Sequence, residues 1–266
     1  VLPSQFFVEH CLPDHLFMPF PDVKLARRPL HFIFLCDCSG SMQAQGKMES
    51  LNQAIRQALP AMAEVAHGNP EASVLVRVVG FSTEAGWHIA APTPAAEIAG
   101  RWRDLAAQPQ GLTSMGAAVR LVAEALRSPP MEPRALPPVL VLISDGAPTD
   151  DYGAGLEILM REPWARKAVR LAIAIGHDAD HDELQRFIGA DQLQRPLQAN
   201  DARTLARYMR WASTAVIDAV SRPLTATGGA MPARNVAMPD LPLMPDLPAT
   251  LVDPLDPDPD LSQTVW

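Results

Sequence analysis

Three stretches of this chain are almost wholly apolar, and two of them stop on an aspartate. "HFIFLC" (31–36) runs into Asp37, "VLVLIS" (139–144) into Asp145, and "VRLAIAI" (169–175) into Gly176. A strand with one wet face alternates polar and apolar residues, so runs like these belong to strands covered on both faces. Between them lie helical patterns. Met48, Leu51, Ile55, Leu59, Met62 and Val65 share one face, with Pro60 expected to kink it. Met115, Val119, Val122 and Leu126 form a second face, and Leu205, Met209, Ala212, Val216 and Val220 a third. "DHDELQRFIG" (180–189) reads as a short helix, residues 73–82 as another strand and residues 86–92 as a short one. Buried strands alternating with amphipathic helices predict an α/β fold: a doubly wound, mostly parallel central sheet flanked by helices. Sheets of this kind bind ligands outside the carboxyl ends of their strands, at a switch in strand order. Asp37 and Asp145 therefore share one rim.

The pattern holds from residue 29 to 221. Residues 1–28 form an irregular, proline-punctuated N-terminal extension. Residues 222–266 are a Pro/Asp-rich tail, with nine prolines, six aspartates and one further arginine after Arg222. That tail repeats Met-Pro-Asp-Leu-Pro within "MPDLPLMPDLP" (238–248), and it reads either as a linker or as an extended docking segment with leucine anchors.

With 266 residues, 48% of them hydrophobic, there is ample material for a core, and a net charge of −8 supplies no basic surface for nucleic acid. No run has the length of a membrane span, and the expected location is cytoplasmic. Cys11, Cys36 and Cys38 make no even disulfide framework, and Cys36 and Cys38 point the same way along one strand, so they read as reduced thiols. A zinc site built from His31, Cys36, Cys38 and Cys11 lacks the short-spaced ligand pairs such sites use.

The chemistry gathers after the first buried strand. Asp37, Ser39 and Ser41 offer only oxygens, which suits a hard divalent cation, Mg²⁺ first and then Mn²⁺ or Ca²⁺. Gly40 lets the backbone bend between the two serines. The serine hydroxyls would ligate directly, while Asp37 would hold a bound water or orient the serines. Two other loops reach the same rim: "QGLTSMG" (110–116) with Thr113, and "SDGAPTD" (144–150) with Asp145 and Gly146. Each residue has a plainer reading. The serines could cap the next helix, Thr113 the helix after it, and Asp145 could be an Asp-Gly turn. Asp150 and Asp151 read as solvated loop residues. His177, Asp178, Asp180, His181 and Asp182 read better as a capped acidic helix start than as a metal cluster.

Taken in order, Asp37-Cys38-Ser39-Gly40-Ser41, then Thr113, then Asp145-Gly146 resembles the metal-ion-dependent adhesion site of von Willebrand factor type A domains. Within that superfamily, "RRPLHFIFLCDCSGSM", "VVGFSTEA", "GLTSMGAAV", "LISDGAPTDDY" and "AIAIGHDADHDEL" are most similar to the bacterial TerY-type tellurium-resistance-associated proteins. Leu112 stands where a glycine is usual, and Cys38 where a small or β-branched residue is. The resemblance implies metal ligation by Asp37, Ser39, Ser41, Thr113 and Asp145, and a non-enzymatic interaction module. Its partner would offer an Asp or Glu carboxylate to the metal, in a stress-response system with a kinase-like protein and a metal-dependent phosphatase. Two other functions remain open at this level: an accessory subunit of a chelatase-like AAA+ ATPase, and a metal-dependent hydrolase. Against the latter, there is no Gly-x-Ser-x-Gly elbow, no phosphate-cradling Gly-rich loop with a lysine, and no second carboxylate two residues after Asp37.

Overall fold

The computed structural model describes residues 26–190 and 194–221. Its strands are β1 (Arg28–Asp37), β2 (Ala72–Phe81), β3 (Ala85–Pro94), β4 (Val139–Ser144), β5 (Val169–Ile175) and β6 (Leu197–Ala199). Its helices are α1 (Lys47–Gly68), α2 (Ala95–Ala99), α3 (Met115–Ala125), α4 (Tyr152–Arg161), α5 (Pro163–Lys167), α6 (His181–Ile188) and α7 (Ala202–Ser221). The strands form one sheet in the order β3-β2-β1-β4-β5-β6. Every pairing is parallel except that of β2 with β3. This is the doubly wound α/β architecture that the apolar runs require.

Both faces of the sheet are covered. Phe32, Phe34 and Cys36 of β1 join Val76, Val141 and Ile173 in the layer beneath α1 and α7. Ile33 and Leu35 join Phe81, Leu142 and Ala174 in the layer beneath α3, α4 and α6. The alternation of a strand's side chains thus places consecutive apolar residues in two different cores, which is why β1 and β4 carry no polar face.

Two features depart from the sequence reading. β3 is a full ten-residue strand rather than a short one, and it runs antiparallel at the sheet edge. Residues 82–84 join it to β2, far fewer than the dozen or so a parallel crossover needs. The sequence reading also missed β6, α2, α4 and α5. Two glycines, Gly153 and Gly155, lower the helix propensity of α4, yet α4 crosses α3 where a Cβ on Gly155 would lie 2.7 Å from the Gly116 carbonyl oxygen. The small residues that hide the helix from propensity make its packing possible. Among the described residues, no helix is long and apolar enough to cross a membrane. The tail at 222–266, the extension at 1–25 and Cys11 lie outside the described residues.

Candidate metal centre

The switch in strand order falls between β1 and β4. From β1 the chain builds outward through β2 and β3, then returns to the other side of β1 and builds outward again through β4, β5 and β6. The crevice opened there lies at the carboxyl ends of the strands. Asp37 is the last residue of β1 and Asp145 follows the last residue of β4. Both are buried.

A continuous hydrogen-bonded chain joins the residues of this crevice. The Ser39 and Ser41 hydroxyls are 2.9 Å apart, and Ser41 Oγ donates to Asp145 Oδ1 at 2.7 Å. Asp37 Oδ1 accepts from the Ser39 backbone N–H at 2.8 Å, and its Oδ2 accepts from the Ser144 hydroxyl at 2.5 Å. Burial pushes the Asp37 carboxyl up to about 6 against the pull of these hydrogen bonds, and neighbouring Asp145 pushes it the same way. The serines are not helix caps, since Ser39 precedes a short 3-10 segment (Gly40–Gly46) without a side-chain capping bond.

Thr113 arrives on a loop held over the serine turn. Gln108 N–H donates to the Cys38 carbonyl at 2.8 Å, and Gly40 N–H donates to the Gly111 carbonyl at 3.1 Å. The turn packs closely under this loop at Gly40, where a Cβ would stand 3.1 Å from the Gln110 nitrogen. The base of this loop is pinned to α1 by Asn52, whose side-chain amide exchanges two hydrogen bonds with the Leu105 backbone. Thr113 pairs its own backbone with Thr149, giving its N–H to Thr149 Oγ1 and its carbonyl to Thr149 N–H, each at 3.0 Å. Its hydroxyl lies 3.8 Å from where a Cβ on Gly146 would sit, beside Asp145, and takes no hydrogen bond among the described residues.

Thr113 does not cap α3 either. Asp150 does, accepting from the Gly116 and Ala117 N–H groups at 2.8 Å each. Asp150 is therefore a half-buried cap rather than a solvated loop residue, and Asp151 caps α4 through Ala154 N–H. Asp180 caps α6 as expected, accepting from Asp182 and Glu183 N–H. Among the described residues, no three His, Cys, Asp or Glu side chains cluster as metal ligands. His31 faces the opposite side of β1 from Cys36 and pairs with Glu132. Cys36 and Cys38 are buried free thiols, and burial pushes Cys38 up to about 12.

The residues present fit a hard dication. Two serine hydroxyls, one unengaged threonine hydroxyl and two carboxylates converge from three loops, and all are oxygens. Three contributors escaped the sequence reading: Ser144, Asn52 and Lys47. Lys47 Nζ donates to Asp145 Oδ2 at 2.9 Å, with both side chains buried. Its only sequence signal is a lysine in the first turn of an amphipathic helix, where a solvated lysine would look the same.

A family model for the von Willebrand factor type A domain matches residues 32–210, which spans the whole crevice. The chain belongs to that family. The proximal thread matrix protein 1 of the mussel byssus superposes on this von Willebrand A domain with a TM-score of 0.56 at 18% identity, covering 70% of this chain and 48% of that one. A von Willebrand factor type A protein from Catenulispora acidiphila does so at 0.53 and 20% identity, over 71% of this chain and 42% of that one. A second form of the mussel protein, "with zinc occupied MIDAS motif", gives 0.55 at 17% identity, over 70% and 48%. At these identities the likeness is one of fold, and this chain spans less than half the length of those chains. No curated protein matches it.

Proposed function

We propose that this von Willebrand A domain is a divalent-metal-dependent protein-interaction module. Ser39, Ser41 and Thr113 hold the metal, and Asp37 and Asp145 supply the negative charge and orient the hydroxyls. The bound metal gives the rim a Lewis-acidic, positively charged point that accepts an anionic ligand. Mg²⁺ suits the all-oxygen donor set, with Mn²⁺ or Ca²⁺ as substitutes. Zinc in the corresponding motif of the mussel protein supports a dication at this place in the fold.

The observation that carries this reading is the Thr113 hydroxyl, unengaged among the described residues, which a separate, tethered loop holds beside Gly146, the residue after Asp145. A serine-rich turn made only to cap a helix needs no such third arm. The serine hydroxyls bond each other and Asp145 rather than an imidazole, so the arrangement favours binding over nucleophilic catalysis.

The partner presents an Asp or Glu carboxylate to the metal, and Leu112 offers it an apolar contact at the same rim. That side chain is 52% exposed and immediately precedes Thr113. On the resemblance in the quoted motifs, the wider setting is a cytoplasmic TerY-type stress-response system with a kinase-like protein and a phosphatase.

Calorimetric titration of Mn²⁺ is the test. The wild-type chain binds one equivalent, and Asp145→Ala and Thr113→Ala each weaken binding by about tenfold or more through loss of charge or of a ligand. Wild-type affinity in both variants removes the metal from this crevice. A pull-down in Mg²⁺ and in chelator then reads the partner: capture that survives chelation places its contact elsewhere.

A further inference from the structure

Lys47 occupies a position that two physical effects oppose. It is the first residue of α1, at the positive end of a 22-residue helix, and it is 4% exposed. A buried ammonium loses its hydration, and a cation at a helix N-terminus meets unfavourable dipoles. Asp145 compensates for both. Its Oδ2 lies 2.9 Å from Lys47 Nζ, while its Oδ1 is taken by Ser41. The local backbone is shaped to deliver this lysine. Gln45 (φ 56) and Gly46 (φ 70) both adopt left-handed conformations just before it, breaking the 3-10 segment from α1 and setting where the helix starts.

We propose that Lys47 is a built-in counter-cation of the rim, which neutralises Asp145 when no dication is present and competes with the dication for that carboxylate. This rests on the reading of the rim as a metal site. Without Lys47, two carboxylates, Asp37 and Asp145, would face each other in a buried crevice with no positive charge hydrogen-bonded to either. With Lys47, the rim residues are joined in one network, Ser39–Ser41–Asp145–Lys47. A dication entering that network draws Asp145 toward itself and repels the ammonium. The metal-free fold is thereby stabilised and the metal is held less tightly than its oxygen donors alone would hold it, so the metal exchanges. Lys47 acts through Asp145 and is a positioning residue, not a ligand.

Lys47→Met keeps the aliphatic stem and removes the charge. On the full chain, that variant melts at a lower temperature than wild type in chelator, and Mn²⁺ raises its melting temperature by more than it raises that of wild type. By calorimetry it binds Mn²⁺ about tenfold tighter or more, as expected when a like charge a few ångströms from a dication is removed. A second measurement needs no variant. In wild-type protein, an amine-reactive reagent labels Lys47 faster in Mn²⁺ than in chelator, read by peptide mass mapping, and this decides the matter should Lys47→Met not fold. Lys47→Met binding Mn²⁺ no more tightly than wild type, or Lys47 labelling unchanged by Mn²⁺, overturns the counter-cation and leaves the metal site standing. Absence of Mn²⁺ binding in both proteins overturns the site and the counter-cation together.

Discussion

At the scale of single residues, Ser144 shows how the site depends on groups that never touch a ligand. It is the last residue of β4, fully buried, and its hydroxyl gives Asp37 Oδ2 a hydrogen bond. Asp37 accepts its other bond from the Ser39 N–H, so Ser144 is what satisfies the second oxygen of a buried carboxylate. Deleting it leaves that oxygen without its donor, a loss of about 1–3 kcal/mol. Ser144→Ala should lower unfolding stability by that amount in urea titrations with chelator present. A loss under about 0.5 kcal/mol, the range of ordinary surface substitutions, would mean that solvent reaches Asp37 and replaces the serine.

At the scale of elements, the crossing of α3 and α4 couples packing to the rim. A Cβ on Gly116 would stand 2.6 Å from the Asp151 carbonyl, and one on Gly155 would stand 2.7 Å from both the Gly116 carbonyl and Val119 Cγ2. The two helices meet nearly backbone to backbone. The segment entering α4 carries Thr149, which pairs with Thr113, and Asp150, which caps α3. A methyl at Gly155 forces the helices apart and should cost about 1–3 kcal/mol as overpacking does. Because Thr149 sits on the same segment, Gly155→Ala should also weaken Mn²⁺ binding by shifting Thr113. Gly86→Ala is the control, since a Cβ there meets nothing within 4 Å, and it should leave both quantities unchanged. Equal behaviour of the two variants in thermal melts and Mn²⁺ titrations would uncouple the helix crossing from the site.

For the whole molecule, one sheet carries both the stability and the site. Its two core layers are built from described residues between β1 and α7, and α7 packs against α1 to close one face. Residues 222–266 follow α7, with their Met-Pro-Asp-Leu-Pro repeats. By its sequence alone, that segment offers leucine side chains as anchors for docking. A chain ending at Ser221 should therefore keep its cooperative melt and its Mn²⁺ affinity while losing a protein from its pull-down. An unaltered set of captured proteins would make the tail a linker, and a lower melting temperature would show that it packs on the domain.

What the sequence by itself determined was whatever one segment encodes. Burial on both faces of a strand writes an uninterrupted apolar run, so β1, β4 and β5 were legible, and with them the parallel sheet and the rim it ends in. The grouping of Asp37, Ser39 and Ser41 was legible because all three residues lie within five positions of one another. What only the tertiary structure decided was which distant groups meet. Lys47 reads as a solvated helix lysine until β4 places Asp145 beside it, 98 residues away. Asp150 reads as loop until its carboxylate is found on α3, 34 residues before it. β6 has three residues, too few for any pattern, and exists as a strand through its pairing with β5. Hydropathy and spacing record how a residue relates to water and to its neighbours in the chain. The partners of a buried charge are chosen by strand order, which no local pattern carries.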